Sequence, residues 1–213
     1  MALATFPACK NEPKTAEAEK PAAPEKIQMA PTPSPEGAAT YNITEGTVYW
    51  TGRKSVKGQH NGKMNVKAGA VIVKEGRILG GKIQVDMTSL EIMDELDETQ
   101  KGQLLGHLKS DDFFGANRYP TAEFTIQEQL PSNTPDFNNV IAGTLTMKDK
   151  TNPVNIPVKL KLDENELSAE SATFIINRTK WGINFGSGII GTVKDKMIDD
   201  NVSVAIKIKA KKG

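Results

Sequence analysis

The stretch HLKSDDFFGANRYPTAEF, from His107 to Phe124, decides how this 213-residue chain is organised. It follows an amphipathic segment and precedes an alternating, strand-like segment that opens at Ala122. Between the two, the polar run 110–112 indicates the end of a helix, and glycine, asparagine and proline interrupt regular backbone. Phe113 and Phe114 are therefore adjacent aromatics in a turn-rich segment, a pattern typical of a plug over the end of a hydrophobic core.

Strand-like alternation dominates on both sides of this stretch. Eight segments carry it: Tyr41 to Trp50, Met64 to Ile72, Leu79 to Met87, Ala122 to Ile126, Val140 to Met147, Val154 to Leu162, Leu167 to Asn177 and Val202 to Ile208. Short turns join most of them, for example Glu75-Gly76. The pattern predicts an all-β antiparallel meander that closes into a barrel, because closure removes exposed sheet edges. A two-sheet sandwich is the alternative that the pattern leaves open.

The faces of these strands follow from strict alternation. One face of the second strand carries Met64, Val66, Ala68, Ala70 and Ile72, and one face of the third carries Leu79, Gly81, Ile83, Val85 and Met87. Small residues among the large ones, such as Ala68, Ala70, Gly81 and Ala172, leave room for a ligand, although tapering barrels also use this mixture simply to pack.

The alternation is interrupted twice. Residues Asp86 to His107 have a rough helical spacing that predicts one or two short helices, with Ser89 as the N-cap. Pro153 and Pro157 lie within the sixth strand, which indicates an edge, a bulge or a strand start there.

Composition excludes several classes of protein. Twenty-seven Lys and Arg residues against 26 Asp and Glu leave a net charge of +1, which gives no bulk attraction toward nucleic acid. The aromatic content of 6% is too low for a platform that stacks single-stranded bases. The single cysteine, Cys9, excludes an internal disulfide.

The first 39 residues differ from the rest. Residues 1–8 (MALATFPA) have the character of the end of a bacterial lipoprotein signal peptide, and Cys9 would then be the acylated residue. Residues 9–39 are rich in Pro, Ala, Glu and Lys, so we expect a disordered, extended tether. Residues 40–213 form the folded domain.

Short motifs that resemble binding or catalytic sites are not supported by the residues around them. The run Gly186 to Gly191 matches G-x-G-x-x-G, but no βαβ unit surrounds it, so a dinucleotide site is not indicated. His60 and His107 lack partners at metal-ligand spacing, and we expect His107 to orient the aromatic plug by hydrogen bonding. Ser187 lies in F-G-S-G, which is not a nucleophile motif. The sequence therefore predicts neither a metal nor a catalytic residue, and no enzyme.

Three patches carry a family resemblance. "HLKSDDFF" with "YPTAEF", then "GTLTMKDKTNPVNIPV" (Gly143 to Val158), then "FIINRTKWGI" (Phe174 to Ile183) occur in the order typical of the YceI-like bacterial lipid- and polyisoprenoid-binding proteins. The resemblance covers Tyr41 to Lys211. It implies a single eight-stranded, lipocalin-like β-barrel with an apolar pore.

The resemblance also implies a function. We expect a non-enzymatic carrier that holds a polyisoprenoid, quinone or fatty-acyl lipid, with no other cofactor, in the periplasm of a Gram-negative bacterium. It would be anchored to the inner or outer membrane through Cys9; a homodimer stays open. The residues expected to line the pore, with Arg178 at the rim facing a polar head group, are Trp50, Phe113, Phe114, Phe124, Phe174, Ile176, Arg178, Trp181, Ile183 and Phe185.

Two other classes of function stay open. An eight-stranded barrel is just wide enough to be filled by its own side chains, which allows a ligand-free structural or stress-protective barrel. An enzyme or isomerase acting on a lipid inside the barrel would need a titratable pair in the cavity, and the sequence indicates none.

Overall fold

The computed structural model describes residues 35–56, 58–191 and 197–213. In these residues nine strands form one antiparallel sheet that closes on itself, with one α-helix inserted between the third and fourth strands. The elements are β1 (Ala39–Arg53), β2 (Gln59–Lys74), β3 (Arg77–Ile92), α1 (Glu98–Lys109), β4 (Thr121–Thr134), β5 (Phe137–Met147), β6 (Lys150–Leu162), β7 (Glu166–Ser171), β8 (Phe174–Asn177) and β9 (Asn201–Lys212). The predicted signal remnant, Cys9 and most of the predicted tether lie outside the described residues.

The wall of the barrel has eight positions although nine strands build it. Each strand pairs with its neighbour in sequence from β1 to β7, and β9 closes the barrel by pairing with β1 from Thr51↔Ser203 to Tyr41↔Lys212. β7 and β8 lie end to end along the other side of β9 and share one position. The prediction of an eight-stranded antiparallel barrel is confirmed, and the sandwich is excluded.

Two tight hairpins set the register of neighbouring strands. Glu75 and Gly76 both have positive φ, 51° and 75°, and connect the pair Lys74↔Arg77 as the sequence predicts. Lys148 and Asp149, with φ of 49° and 60°, connect β5 to β6 in the same way. Such left-handed pairs match the twist of the strands that they join.

The helical insertion is one helix and begins later than predicted. β3 continues to Ile92, so Ser89 lies within a strand rather than at an N-cap. Its hydroxyl accepts from the Asn65 N–H at 2.8 Å, where the pairing of β2 with β3 shifts register. The N-cap is Asp97, whose carboxylate accepts from the Gln100 N–H at 2.8 Å. The irregular pairing hides the end of β3 from an alternation pattern.

Bulges also change which residues face inward, so strict alternation was wrong in β2 and β3. One extra residue between Val66 and Ala68 reverses the alternation of β2. Even-numbered residues such as Met64 face inward before this bulge, and odd-numbered residues such as Val71 face inward after it. In β3 the shift near Leu79 leaves that side chain 43% exposed, while Ile78 faces the interior. The small residues expected inside, Ala68, Ala70, Gly81 and Ala172, do not line the interior.

The two prolines of β6 lie where that strand is paired on one side only. β5 pairs with β6 from Lys150 onward, whereas β7 pairs with it only from Val158. Pro153 and Pro157 precede that point, so a missing N–H removes no bond to β7. This confirms the edge interpretation.

The interior holds one hydrophobic cluster toward each end. The cluster at the helix end includes Trp50, Met87 and Phe113, and the cluster at the opposite end includes Val71, Ile78 and Leu167. In the part of the chain that the structure describes, no helix combines the length and apolar character needed to cross a bilayer.

Candidate functional site

An elongated cavity of about 580 Å³ occupies the barrel and borders both hydrophobic clusters. Apolar side chains from the strands form most of its wall, and α1 with the loop after it adds Leu104, Leu108, Phe113 and Phe114. This volume lies within the range of about 300–1,000 Å³ of small-molecule sites. The barrel is therefore hollow rather than filled.

Nine of the ten residues expected at the pore border this cavity. They are Trp50, Phe113, Phe114, Phe124, Phe174, Ile176, Arg178, Ile183 and Phe185. Trp181 does not line it: the side chain is 1% exposed, and its indole N–H donates to the Leu145 carbonyl at 2.9 Å. Trp181 packs into the wall instead.

The sequence analysis missed most of the aliphatic wall. Met64, Val71, Ile78, Met87, Ile141, Val158 and Leu167 all line the cavity. Their alternation was visible, but in β2 and β3 bulges decide which set of alternate residues points inward, and no local signal located those bulges.

The cavity is open at the helix end. Among the lining residues that the structure describes, only Arg53, Lys54 and Phe185 are exposed, and all three lie there with His60 and His107. We call these five residues the mouth. At the opposite end the lining residues Val71, Ile78 and Leu167 are at most 5% exposed, which closes the cavity.

Aromatic rings form one side of the mouth. The His107 ring of α1 meets Phe113 edge-on at 5.0 Å and Phe185 at 4.5 Å between centroids. The Lys148 ammonium donates to the backbone carbonyls of Asp111 and Phe113, which holds the loop in place. His107 thus orients the plug by ring contacts rather than by the hydrogen bonding that the sequence analysis expected.

His60 forms the other side of the mouth and is held by a carboxylate that does not line the cavity. His60 Nδ1 lies 2.6 Å from Asp94 Oδ2, and Asp94 Oδ1 accepts from the Asn61 backbone and side chain at 2.9 and 3.0 Å. Burial raises the pKa of Asp94, but these hydrogen bonds outweigh it and hold the pKa below its ordinary value. Because an ionised carboxylate only accepts, Nδ1–H is the donor and the ring orientation is set.

Arg178 lies deeper than the rim position that the sequence analysis gave it. Its side chain is 4% exposed. The guanidinium donates to the carbonyls of Asp199, Ile183 and Ile198 and to Asp200 Oδ1, at 2.7 to 3.1 Å. Asp200 Oδ2 in turn accepts from the Ser187 hydroxyl at 2.9 Å. Arg178 therefore links Ile183 to residues 198–200, and most of its N–H groups already donate to acceptors of the protein.

The described residues offer little support for metal binding or nucleotide binding. No group of three or more His, Cys, Asp or Glu in ranges 35–56, 58–191 and 197–213 could hold a metal ion. The Trp50 indole N–H has no acceptor among those residues and is enclosed by protein. Around G-x-G-x-x-G the chain forms a 3₁₀ turn (Gly188–Ile190), which differs from the strand-to-helix junction of a dinucleotide site.

Comparison with known proteins gives a consistent picture. The model of the YceI-like domain matches residues 40–210. A UPF0312 protein of Staphylococcus epidermidis is 31% identical over 114 residues, which are 49% of this chain and 63% of that protein. The chain thus spans less than two thirds of that relative's length.

Two solved structures share the fold. BcnA of Burkholderia cenocepacia superposes with a TM-score of 0.57 at 18% identity, over 78% of this chain and 96% of that chain. A polyisoprenoid binding domain from Saccharophagus degradans, implicated in plant cell wall breakdown, gives a TM-score of 0.57 at 9% identity, over 82% and 99%.

Proposed function

The chain belongs to the YceI-like domain family, and from that premise we propose that its barrel binds and carries a long-chain apolar lipid of polyisoprenoid, quinone or fatty-acyl type. The single observation that carries the proposal is the hollow apolar interior, a cavity of about 580 Å³ open at one end. The polyisoprenoid binding domain from Saccharophagus degradans, which shares the fold, supports the choice of ligand class.

The energetics of such a cavity suit a chain-like ligand. Each buried methylene contributes about 0.8 kcal/mol, so a dozen buried carbons give about 10 kcal/mol before costs. Lost translational freedom and chain ordering remove several kcal/mol. The remainder corresponds to micromolar or tighter binding. Affinity should rise with chain length and level off once the tail fills the cavity.

We propose binding without catalysis. The closest His–carboxylate pair of the site, His60 and Asp94, lies at the mouth, and no Ser, Thr or Cys side chain of the described residues borders the cavity there. A reaction on the lipid would require more than this pair.

Intrinsic fluorescence tests the proposal with a matched control, since the chain has two tryptophans. Trp50 lines the cavity and Trp181 does not. Added geranylgeraniol should therefore change the emission of the delipidated protein, and Trp181→Phe should keep that change whereas Trp50→Phe loses most of it.

Organic extraction gives the second readout. Gently purified protein should release one dominant lipid class, detected by mass spectrometry. A protein that purifies empty and whose emission no long-chain lipid alters would contradict the proposal and favour the ligand-free structural barrel.

We also propose that the domain is a periplasmic lipoprotein tethered through Cys9. The support is the apolar run before Cys9 and the Pro-rich composition after it, most of which lies outside the described residues. The protein expressed from its native gene should fractionate with membranes, and Cys9→Ser should release it into the periplasmic fraction. Equal membrane association of both forms would reject the anchor.

A further inference from the structure

Large apolar side chains that face water are concentrated at the open end of the barrel. In the described residues six are exposed by 42% to 60%: Val56, Leu79, Met93, Ile175, Phe185 and Ile190. All but Leu79 and Ile175 belong to segments at the open end. Single exposed apolar residues are normal on a protein surface, but a group of them around the opening of an apolar cavity indicates a contact surface.

The segments that carry Val56 and Ile190 meet in the fold. Val56 follows β1, where the Ser55 N–H donates to the Met197 carbonyl at 3.0 Å. Ile190 ends the 3₁₀ turn, in which a Cβ on Gly188 would lie 2.6 Å from the Met197 methyl group. Both segments therefore pack against the same short stretch of chain before β9.

Phe185 connects this apolar surface to the cavity. Next to it, the Gly186 carbonyl accepts from the Ile198 N–H at 2.8 Å, so this segment packs against the same stretch. Phe185 lines the cavity, whereas Val56 and Ile190 do not. We call Val56, Phe185 and Ile190 the lip. The lip is thus an outward continuation of the cavity wall on one side of the mouth.

The two segments that form the lip carry no carboxylate. No Asp or Glu occurs in residues 53–60 or 184–191, and the two exposed cations of the mouth lie beside the lip at the end of β1. Met93 differs, because four carboxylates follow it within residues 94–98, and we leave it out of the lip. Apolar side chains next to Lys or Arg suit the boundary between water and a lipid bilayer.

Both ends of the described chain lie away from the lip. β1 begins at Ala39, which pairs with Val73 of the hydrophobic cluster at the closed end. The Gly213 N–H donates to the Thr40 carbonyl at 2.9 Å, which places the last residue at the closed end as well. Neither end therefore stands between the lip and a surface that approaches the mouth.

We propose that the lip inserts into the surface of a lipid bilayer and so brings the mouth against the membrane that holds the ligand. The inference rests on the lipid-binding function proposed above, since a long apolar tail resides in membranes rather than in water. A docked mouth lets the tail pass from bilayer to cavity along apolar side chains, which avoids the cost of exposing it to water. Phe185 belongs to both surfaces and joins them.

The test follows geranylgeraniol as it leaves the loaded full chain for vesicles of dioleoylphosphatidylcholine, by stopped-flow measurement of intrinsic fluorescence. Every chain carries Cys9→Ser, so that no acyl group contributes to membrane contact. The lip variant is Val56→Ser/Ile190→Ser. Its matched control is Leu79→Ser/Ile175→Ser, which removes two exposed apolar side chains outside the lip. Neither pair lines the cavity, so both variants should bind geranylgeraniol as tightly as the parent chain.

In the parent chain and in the control the transfer rate should rise in proportion to the vesicle concentration, because transfer occurs on contact. The lip variant should transfer about 10-fold more slowly, since two apolar side chains no longer insert. Flotation of the ligand-free proteins with the same vesicles should likewise show weaker binding of the lip variant alone.

A parent-chain rate that does not change with vesicle concentration would mean release through water and would overturn the proposal. Equal slowing of both variants would overturn it as well. So would a dimer of the parent chain in sedimentation velocity that the lip variant loses, because a second copy would then cover the lip. If the parent chain does not bind geranylgeraniol, the lipid-binding function fails, while flotation still decides whether the lip docks.

Discussion

Phe113 shows at the residue scale how the mouth is supported. Its ring is 7% exposed and packs between His107 and Phe185, whereas the Phe185 ring is 42% exposed. Phe113→Ala should lower the free energy of unfolding by about 3 kcal/mol, the low end of the usual range because one face of the ring borders the cavity. Phe185→Ala should cost at most about 0.5 kcal/mol. Urea unfolding measures both, and equal small effects would show that Phe113 does not support the barrel.

Asp94 gives a pH-dependent prediction at the same scale. Its pKa is lowered in the folded protein, so its stabilising contribution is fully present above the unfolded pKa of about 3.9 and is lost as pH falls through the folded pKa. The stability difference between the wild type and Asp94→Asn should therefore be largest above pH of about 5 and should shrink below about 4.

The measurement is urea unfolding of both proteins from pH 7 to pH 3, with Glu95→Gln as the control because the Glu95 side chain is exposed. The control removes a neighbouring carboxylate and leaves the hydrogen bonds to Asp94 in place. A difference for Asp94→Asn that grows toward acidic pH would have the wrong sign and would contradict the hydrogen-bonded, ionised carboxylate.

At the scale of secondary structure, two glycines have opposite roles. In β5, a Cβ on Gly143 would lie 2.3 Å from the Thr125 carbonyl oxygen and 2.6 Å from the Phe124 ring, so the strands could not keep their spacing. In α1, a Cβ on Gly102 would meet nothing within 4 Å. Glycine within a helix is less favourable than alanine by about 0.5–1 kcal/mol.

Gly143→Ala should therefore destabilise the protein by at least about 1 kcal/mol, while Gly102→Ala should stabilise it by about 0.5 kcal/mol. Thermal unfolding of the two single variants checks both signs. A neutral Gly143→Ala would mean that β4 and β5 yield at this contact, which would argue against a rigid wall beside Phe124.

For the whole molecule, a hollow barrel couples ligand binding to stability. A ligand that binds only the folded state at 100 times its dissociation constant adds about 2.7 kcal/mol to the free energy of unfolding. Geranylgeraniol should therefore raise the midpoint of thermal unfolding of the delipidated protein, and geraniol, with half the tail, should raise it much less at the same concentration. No shift with either would indicate a barrel that does not need a ligand.

Several features of this protein follow from the sequence alone. The alternation of eight segments predicts the barrel, because period-2 patterns require a sheet with one buried face. Glu75-Gly76 predicts its hairpin through local turn chemistry. The pair Phe113 and Phe114 indicates an aromatic plug at one end. Each of these signals is local in the chain. The fold confirms the barrel and the hairpin, while Phe113 and Phe114 border the cavity at its open end.

The tertiary structure decided the rest, because the deciding contacts join distant residues. Bulges between β2 and β3 exchange the inward and outward faces, which excluded Ala68 and Gly81 from the cavity and placed Val71 and Ile78 in it. Arg178 was expected at the rim, but acceptors up to 22 residues away bury it. The pairing of His60 with Asp94, 34 residues apart, exists only once β3 pairs with β2, and the mouth is complete only once β9 closes against β1. No pattern within one segment encodes which strand ends will meet.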